Sequence, residues 1–192
     1  MPLIGVLALQ GDFEAHEKAF QEAGAQTIQV RAAADLARID ALVIPGGEST
    51  TMLKLLEIES LMAPLREFGL RKPVFGTCAG AILLAKDVVN PPQDSLGLVD
   101  ITVERNAYGR QVHSQVANLQ LDHEQPPIEA VFIRAPIIRR AGPDVVVRAR
   151  WKDSPVLVQQ GRHLVATFHP ELGASRRVQS LFLDMVRSCN NQ

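Results

Sequence analysis

The chain predicts an α/β fold: a doubly wound, mostly parallel sheet flanked by helices, with some antiparallel strands in the second half. Three observations lead there. Short, almost continuously apolar runs alternate with helical patterns through the first half, as strands buried on both faces do when helices cover them. From about residue 98 the pattern changes to alternating apolar and polar positions rich in β-branched residues, the mark of shorter, partly antiparallel strands. Finally, Gly76-Thr77-Cys78-Ala79-Gly80 joins an apolar run to a helical one, with a nucleophile set between two glycines.

Taken in order, residues 3–9 form the first strand. A helix follows from Asp12, capped by that Asp, with Phe13, His16, Phe20 and Ala23 on one face and Gly24 ending it. Residues 27–30 and 41–44 give the second and third strands. Helical spacing resumes from Ser49 to about Glu57 and again across residues 61–68. Residues 73–75 make the next strand, and 81–85 the buried helix beyond Cys78. Shorter strands fill 98–121 and 128–150, punctuated by Asn90-Pro91-Pro92 and Gln125-Pro126-Pro127. Residues 156–158 and 164–168 form a hairpin around Gly161. The last helix is amphipathic: Ser175 caps it, and Val178, Leu181, Phe182, Met185 and Val186 share a face. With no repeat or linker in between, residues 1–192 read as one domain.

Composition narrows the class of function. A chain of 192 residues, 46% hydrophobic and 21% charged, is ordinary for a soluble globular protein and long enough for a substantial core. A net charge of −1 argues against nucleic-acid and membrane-surface partners. No apolar run approaches the roughly 18 residues of a membrane span, and no basic segment marks a signal peptide. The two cysteines, Cys78 and Cys189, lie too far apart in the chain to suggest a disulfide framework, so a reducing cytoplasm fits best. Cys189 sits in a polar tail and takes no role.

Cys78 has the layout of a nucleophile elbow, where a side chain at either flanking glycine would crowd the turn. At a helix start it also meets free N–H groups and a dipole that favour a thiolate. The thiol needs a base. His169 is the best placed of five histidines, because it directly follows an apolar strand, and reactive groups collect beyond the carboxyl ends of strands in such sheets. Pro170 biases His169 towards extended geometry, so Glu171 returns to the same side and can fix the ring's tautomer. Pro45-Gly46-Gly47-Glu48-Ser49-Thr50-Thr51 occupies a second strand–helix junction, whose paired glycines let N–H groups approach a ligand. Donors there, at Gly47, and the N–H of Ala79 can together form an oxyanion hole.

Phosphate-binding and dinucleotide fingerprints are absent, and no cofactor is expected. His16, His113, His123, His163 and His169 show no ligand spacing and no C-x-x-C occurs, so no metal site is expected. Taken singly, each feature has a plainer explanation. A buried Cys is usually a small core residue, a His after a strand a satisfied polar group, and Gly-Gly an ordinary turn. The catalytic reading rests on their coincidence.

Together these motifs resemble those of class I glutamine amidotransferases. Leu9-Gln10-Gly11-Asp12, the 45–51 loop, the elbow, Arg105-Asn106-Ala107-Tyr108-Gly109-Arg110-Gln111, Phe132-Ile133-Arg134-Ala135-Pro136 and Thr167-Phe168-His169-Pro170-Glu171-Leu172 are similar, in that order, to motifs of the glutaminase subunits of pyridoxal 5′-phosphate synthases. The resemblance spans residues 9–172. It implies hydrolysis of L-glutamine to glutamate and ammonia, which passes to a separate synthase subunit within a large hetero-oligomer. It makes Cys78 the nucleophile, His169 the general base and acid, and Glu171 its orienting carboxylate. Gly46, Gly47, Glu48 and Ser49 match the glutamine-binding loop, and Arg105, Ile133 and Arg134 complete the pocket. Gln10 is implied in coupling partner docking to the oxyanion hole. Two positions depart from the family pattern: Tyr108 stands where Phe is expected, and Gln115 where a further aromatic is expected.

Two rival readings use the same residues. A peptidase- or chaperone-like hydrolase with a cysteine elbow typically pairs the Cys with a His next to it in sequence, whereas Ala79 follows Cys78 here. A non-catalytic assembly subunit would be expected to have lost one of Cys78, His169 and Glu171, and all three are intact.

Overall fold

The computed structural model describes residues 1–106, 114–121 and 124–190. The elements run β1 (Leu3–Leu7), α1 (Phe13–Glu22), β2 (Gln26–Val30), β3 (Ala41–Ile44), α2 (Ser49–Ile58), α3 (Met62–Arg71), β4 (Val74–Thr77) and α4 (Ala79–Leu84). They continue through β5 (Ala85–Val89), β6 (Val99–Glu104), β7 (Gln115–Leu121), β8 (Glu124–Phe132), β9 (Ile137–Ala141), β10 (Val146–Trp151), β11 (Ser154–Gln160), β12 (His163–Ala166) and α5 (Arg177–Asn190).

Seven strands form the main sheet in the order β10-β11-β12-β4-β3-β1-β2. The five from β12 to β2 are parallel, and β10 and β11 extend the sheet antiparallel. The chain starts at β1, steps outward to β2, then returns to the other side of β1 for β3. That reversal opens a crevice beyond the carboxyl ends, where α/β sheets hold ligands. β3, β4 and β12 are buried at every position and β1 at all but Leu3, while β2 at the edge is buried only at Val30. A small sheet, β5-β6-β9, and a two-stranded ribbon, β7-β8, flank this core.

Several expectations need correction. Asp12 stands at the start of α1, but its side chain makes no cap hydrogen bond. Gly24 ends the helix as expected, with φ of +89° and its N–H donated to the Gln21 carbonyl. The buried helix after Cys78 begins at Ala79 and stops at Leu84, and the chain turns there directly into β5. Pro126 and Pro127 lie inside β8 instead of breaking it. They fall where the β7–β8 register slips between Leu119 and Leu121, a bulge that needs no proline N–H. The helical turn at Ala33–Arg38 is a 3-10 segment with no counterpart in the hydrophobic pattern. Residues 107–113, with Tyr108 and His113, and His123 lie outside the described residues.

Aromatic packing ties the layers together under the elbow. Phe75 of β4 meets Phe20 of α1 and Phe182 of α5, with ring centroids 6.4 and 5.4 Å away. Phe168, just before His169, packs on Phe132 at 5.7 Å. Truncating a buried Phe of this kind costs about 3–5 kcal/mol. The site therefore rests on rigid support.

Candidate active site

Every strand that feeds the site ends on the same side of the sheet. Gln10 follows β1, Gly46 follows β3, Cys78 follows β4 and His169 follows β12. Cys78 has φ of +49°, a left-handed conformation unusual for a residue with a side chain. The turn is tight enough to require both glycines: a Cβ at Gly76 would lie 2.5 Å from the Gly80 carbonyl oxygen, and one at Gly80 would lie 2.1 Å from that of Ile44. The Cys78 N–H donates to the Ala166 carbonyl at 2.9 Å, which fastens the elbow to β12. Ala79 opens α4, so its N–H has no partner within the helix and is free to meet a ligand. With six residues α4 is short, so local N–H groups matter more here than a long helix dipole.

The three expected catalytic side chains are brought together. His169 and Cys78 both face Gly46, within 2.5 and 3.2 Å of where its Cβ would stand, and His169 Nδ1 lies 2.7 Å from Glu171 Oε1. Its backbone is held by an N–H bond to the Val131 carbonyl, 2.8 Å, so β8 clamps the base in place. Burial opposes a charge on His169, but the hydrogen bonds and charges of Cys78 and Glu171 prevail and push its pKa up to about 10. Glu171 is likewise penalised by burial, yet His16 and His169 hold its pKa down to about 2.

The 45–51 loop closes against this group. A Cβ at Gly46 would sit 2.5 Å from His169 Cε1 and 3.2 Å from Cys78 Cβ, so only a glycine fits. Gly47 has φ of +145° and lies against the Gln10 amide, whose Oε1 accepts the Glu48 N–H at 3.2 Å. Glu48 caps α2 by accepting from the Thr50 N–H and hydroxyl. The Thr50 hydroxyl is the main influence keeping its carboxylate low, against desolvation, with help from the Arg105 and Arg134 charges. Arg105 Nη2 lies 3.7 Å from Glu48 Oε1, and its Nε is buried without a hydrogen-bond partner. Ile133 brings its carbonyl to 3.9 Å from Cys78 Sγ, and Arg134 beside it has φ of +44°. Nucleophile, base, carboxylate, glycine loop and both arginines thus share one neighbourhood.

Two neighbours were not singled out from the sequence. Ser49 Oγ donates to Gln93 Oε1 at 3.0 Å, placing the 90–95 loop beside the pocket. His16, expected only on the buried face of α1, reaches Thr77 and Glu171. The periodicity of α1 signals that His16 is buried but not what it meets.

A thiol near an imidazole that a carboxylate contacts, at a strand–helix elbow, is the arrangement that cysteine-dependent hydrolases and transferases use. Residues 6–188 match the SNO glutamine amidotransferase family, and the chain belongs to it. It is 58% identical to the pyridoxal 5′-phosphate synthase subunit PdxT of Solibacter usitatus (strain Ellin6076), over 97% of this chain and 100% of that protein. Identity to the same subunit of Koribacter versatilis (strain Ellin345) is 52%, over 98% and 97%. A crystal structure of a glutamine amidotransferase superposes with a TM-score of 0.89 at 44% identity, covering 96% of this chain and 98% of that one. The fold itself extends further: a glutamine amidotransferase from Thermotoga maritima shares it with a TM-score of 0.59 at 14% identity, covering 99% of this chain and 85% of that one.

Proposed function

We propose that this chain is the glutaminase subunit of a pyridoxal 5′-phosphate synthase, hydrolysing L-glutamine and supplying ammonia to a synthase subunit. The observation that carries the reading is the Cys78–His169–Glu171 constellation, with 2.7 Å between His169 Nδ1 and Glu171 Oε1, in a glutamine amidotransferase chain.

His169 takes the Cys78 thiol proton as the sulfur attacks the substrate's side-chain amide carbon, and the developing oxyanion is met by N–H groups at Gly47 and Ala79. His169 gives its proton to the leaving nitrogen, so ammonia departs and a glutamyl thioester remains. Water then attacks the thioester while His169 takes its proton; the C–S bond breaks, glutamate leaves, and His169 returns the proton to the sulfur. Glu171 holds the ring and stabilises the imidazolium without taking the proton. Gly46, Gly47, Glu48, Ser49 and Ile133 line the glutamine, and Arg105 and Arg134 suit its α-carboxylate. Gln10, in the loop after β1 and against Gly47, couples docking of the synthase subunit to the oxyanion hole. Residues 1–192 act as one domain in a cytoplasmic hetero-oligomer. Among the described residues no helix is long and apolar enough to cross a membrane.

Glutamate release from glutamine, by wild type and Cys78→Ala, each with and without the cognate synthase subunit, tests this. Release that rises with the partner and vanishes in Cys78→Ala is expected. A stable complex that frees no glutamate would leave only an assembly role.

A further inference from the structure

The triad has a fourth member behind it. His16 is fully buried on α1, and its Nε2 lies 3.0 Å from Thr77 Oγ1 and 3.3 Å from Glu171 Oε2. These two partners flank the chemistry: Thr77 is the residue before the nucleophile, and Glu171 is the carboxylate on the base. Glu171 Oε1 is taken by His169, so His16 is the group that meets the other oxygen. The hydrogen bond of Nε2 is with Thr77 Oγ1, and Glu171 Oε2, which has no hydrogen-bond partner, meets the same nitrogen at ion-pair distance. Nδ1 makes no hydrogen bond, so both of these contacts fall to Nε2. The approach to Oε2 is less well aligned than a full hydrogen bond, so the contact is electrostatic in character. Glu171 has no exposed face through which water could do the same work, since it is only 5% exposed.

We propose that His16 is a positioning residue for glutamine hydrolysis, locking Glu171 through its outer oxygen and tying it to the strand that carries Cys78. The inference rests on the functional reading above. A carboxylate held at one oxygen can pivot about its own axis, and the His169 ring pivots with it. Held at both, it presents the ring to sulfur in a single orientation. Outer partners that orient metal-binding side chains are worth about 10- to 100-fold when lost, and a loss of the same order is expected here. The link also spans distant parts of the chain: α1 reaches across the ends of β4 and β12, which are already adjacent in the sheet.

Side-chain geometry supplies the test. The Gln amide nitrogen is as many bonds from Cβ as His Nε2, whereas the Asn nitrogen matches Nδ1, and Leu removes both donors. With the synthase subunit present, His16→Leu is expected to lower kcat for glutamate release about 10- to 100-fold, with KM changed less than about threefold. His16→Gln should recover most of the rate and His16→Asn should not. In a Glu171→Gln background, His16→Leu should cost less than about threefold more, because the two act as a unit. Equal losses in both backgrounds, equal rates for the Gln and Asn variants, or a His16→Leu variant as fast as wild type would each overturn the proposal. Should the Leu variant fail to fold, the Gln and Asn pair decides alone. A wild type that frees no glutamate sinks the functional reading and this one with it; an active wild type matched by His16→Leu sinks only this one.

Discussion

His163 and His169 stand at opposite ends of β12, each with the same 8% exposure, yet their pKa values move in opposite directions. At His163 burial wins. It lowers the pKa to about 4, the Arg162 charge adds to it, and a hydrogen bond to the Gly69 backbone offsets only part. At His169 the same burial is overridden by a sulfur and a carboxylate. Desolvation alone does not decide the charge of a buried group; the partners within hydrogen-bond reach do. The sheet supplies those partners unequally. The amino end of β12 faces the backbone of α3, whereas its carboxyl end receives the elbow, the Gly46 loop and Glu171.

The contrast breaks most visibly in turnover. His169→Asn is expected to lower kcat for glutamate release by about 10³-fold or more, while His163→Gln stays within about twofold of wild type. Loss of activity in both would mean that burial, and not partnership, is what matters at this strand. Glu171→Gln should come next, about 10²- to 10³-fold down in kcat with KM nearly unchanged. A large rise in KM would instead place Glu171 on the substrate.

A smaller effect lies in stability against pH, measured by urea denaturation. Glu171, lowered from 4.5 to about 2, adds stability that is complete above pH 4.5 and fades as pH falls towards 2. His169, raised from 6.5 to about 10, adds stability that is complete below pH 6.5 and fades as pH rises towards 10. Both contributions are therefore whole between about pH 4.5 and 6.5. His163 has the opposite sign: the unfolded chain takes up its proton near 6.5 and the folded one resists until about 4, so stability is lost as pH falls across that window. His163→Gln should remove that acid-side loss and Glu171→Gln should not; identical slopes in the two variants would refute the assignment. The smallest change expected is at the other cysteine. Cys189→Ser should shift stability by less than about 0.5 kcal/mol and leave turnover alone, in contrast to Cys78→Ala.

What could be read from the sequence follows from the same physics. A strand buried on both faces has nowhere to hide a polar residue, so β3 shows as an unbroken apolar run at residues 41–44 and sits there in the structure. The elbow was legible because its two glycines have no room for anything else. Less legible was β5, because α4 passes into it without a breaker between Leu84 and Ala85. The prolines in β8 suggested an interruption that a bulge absorbs. Periodicity placed His16 on a buried face, but what that face meets depends on strands far away in the chain, which no local pattern encodes. Gln93 escaped for the same reason.

The pairing of β4 with β12 governs when this protein can first act. The two strands join through Phe75 and Leu164, so the reactive sulfur leaves the ribosome roughly ninety residues ahead of its base, about 5 to 20 seconds at ordinary elongation rates. During that interval Cys78 lacks the base proposed for it. The closing of so long a loop must then precede any turnover. On the roles proposed for Cys78 and His169, a copy cut short before residue 169 is expected to hydrolyse no glutamine, so the last stretch of synthesis would act as a safety catch.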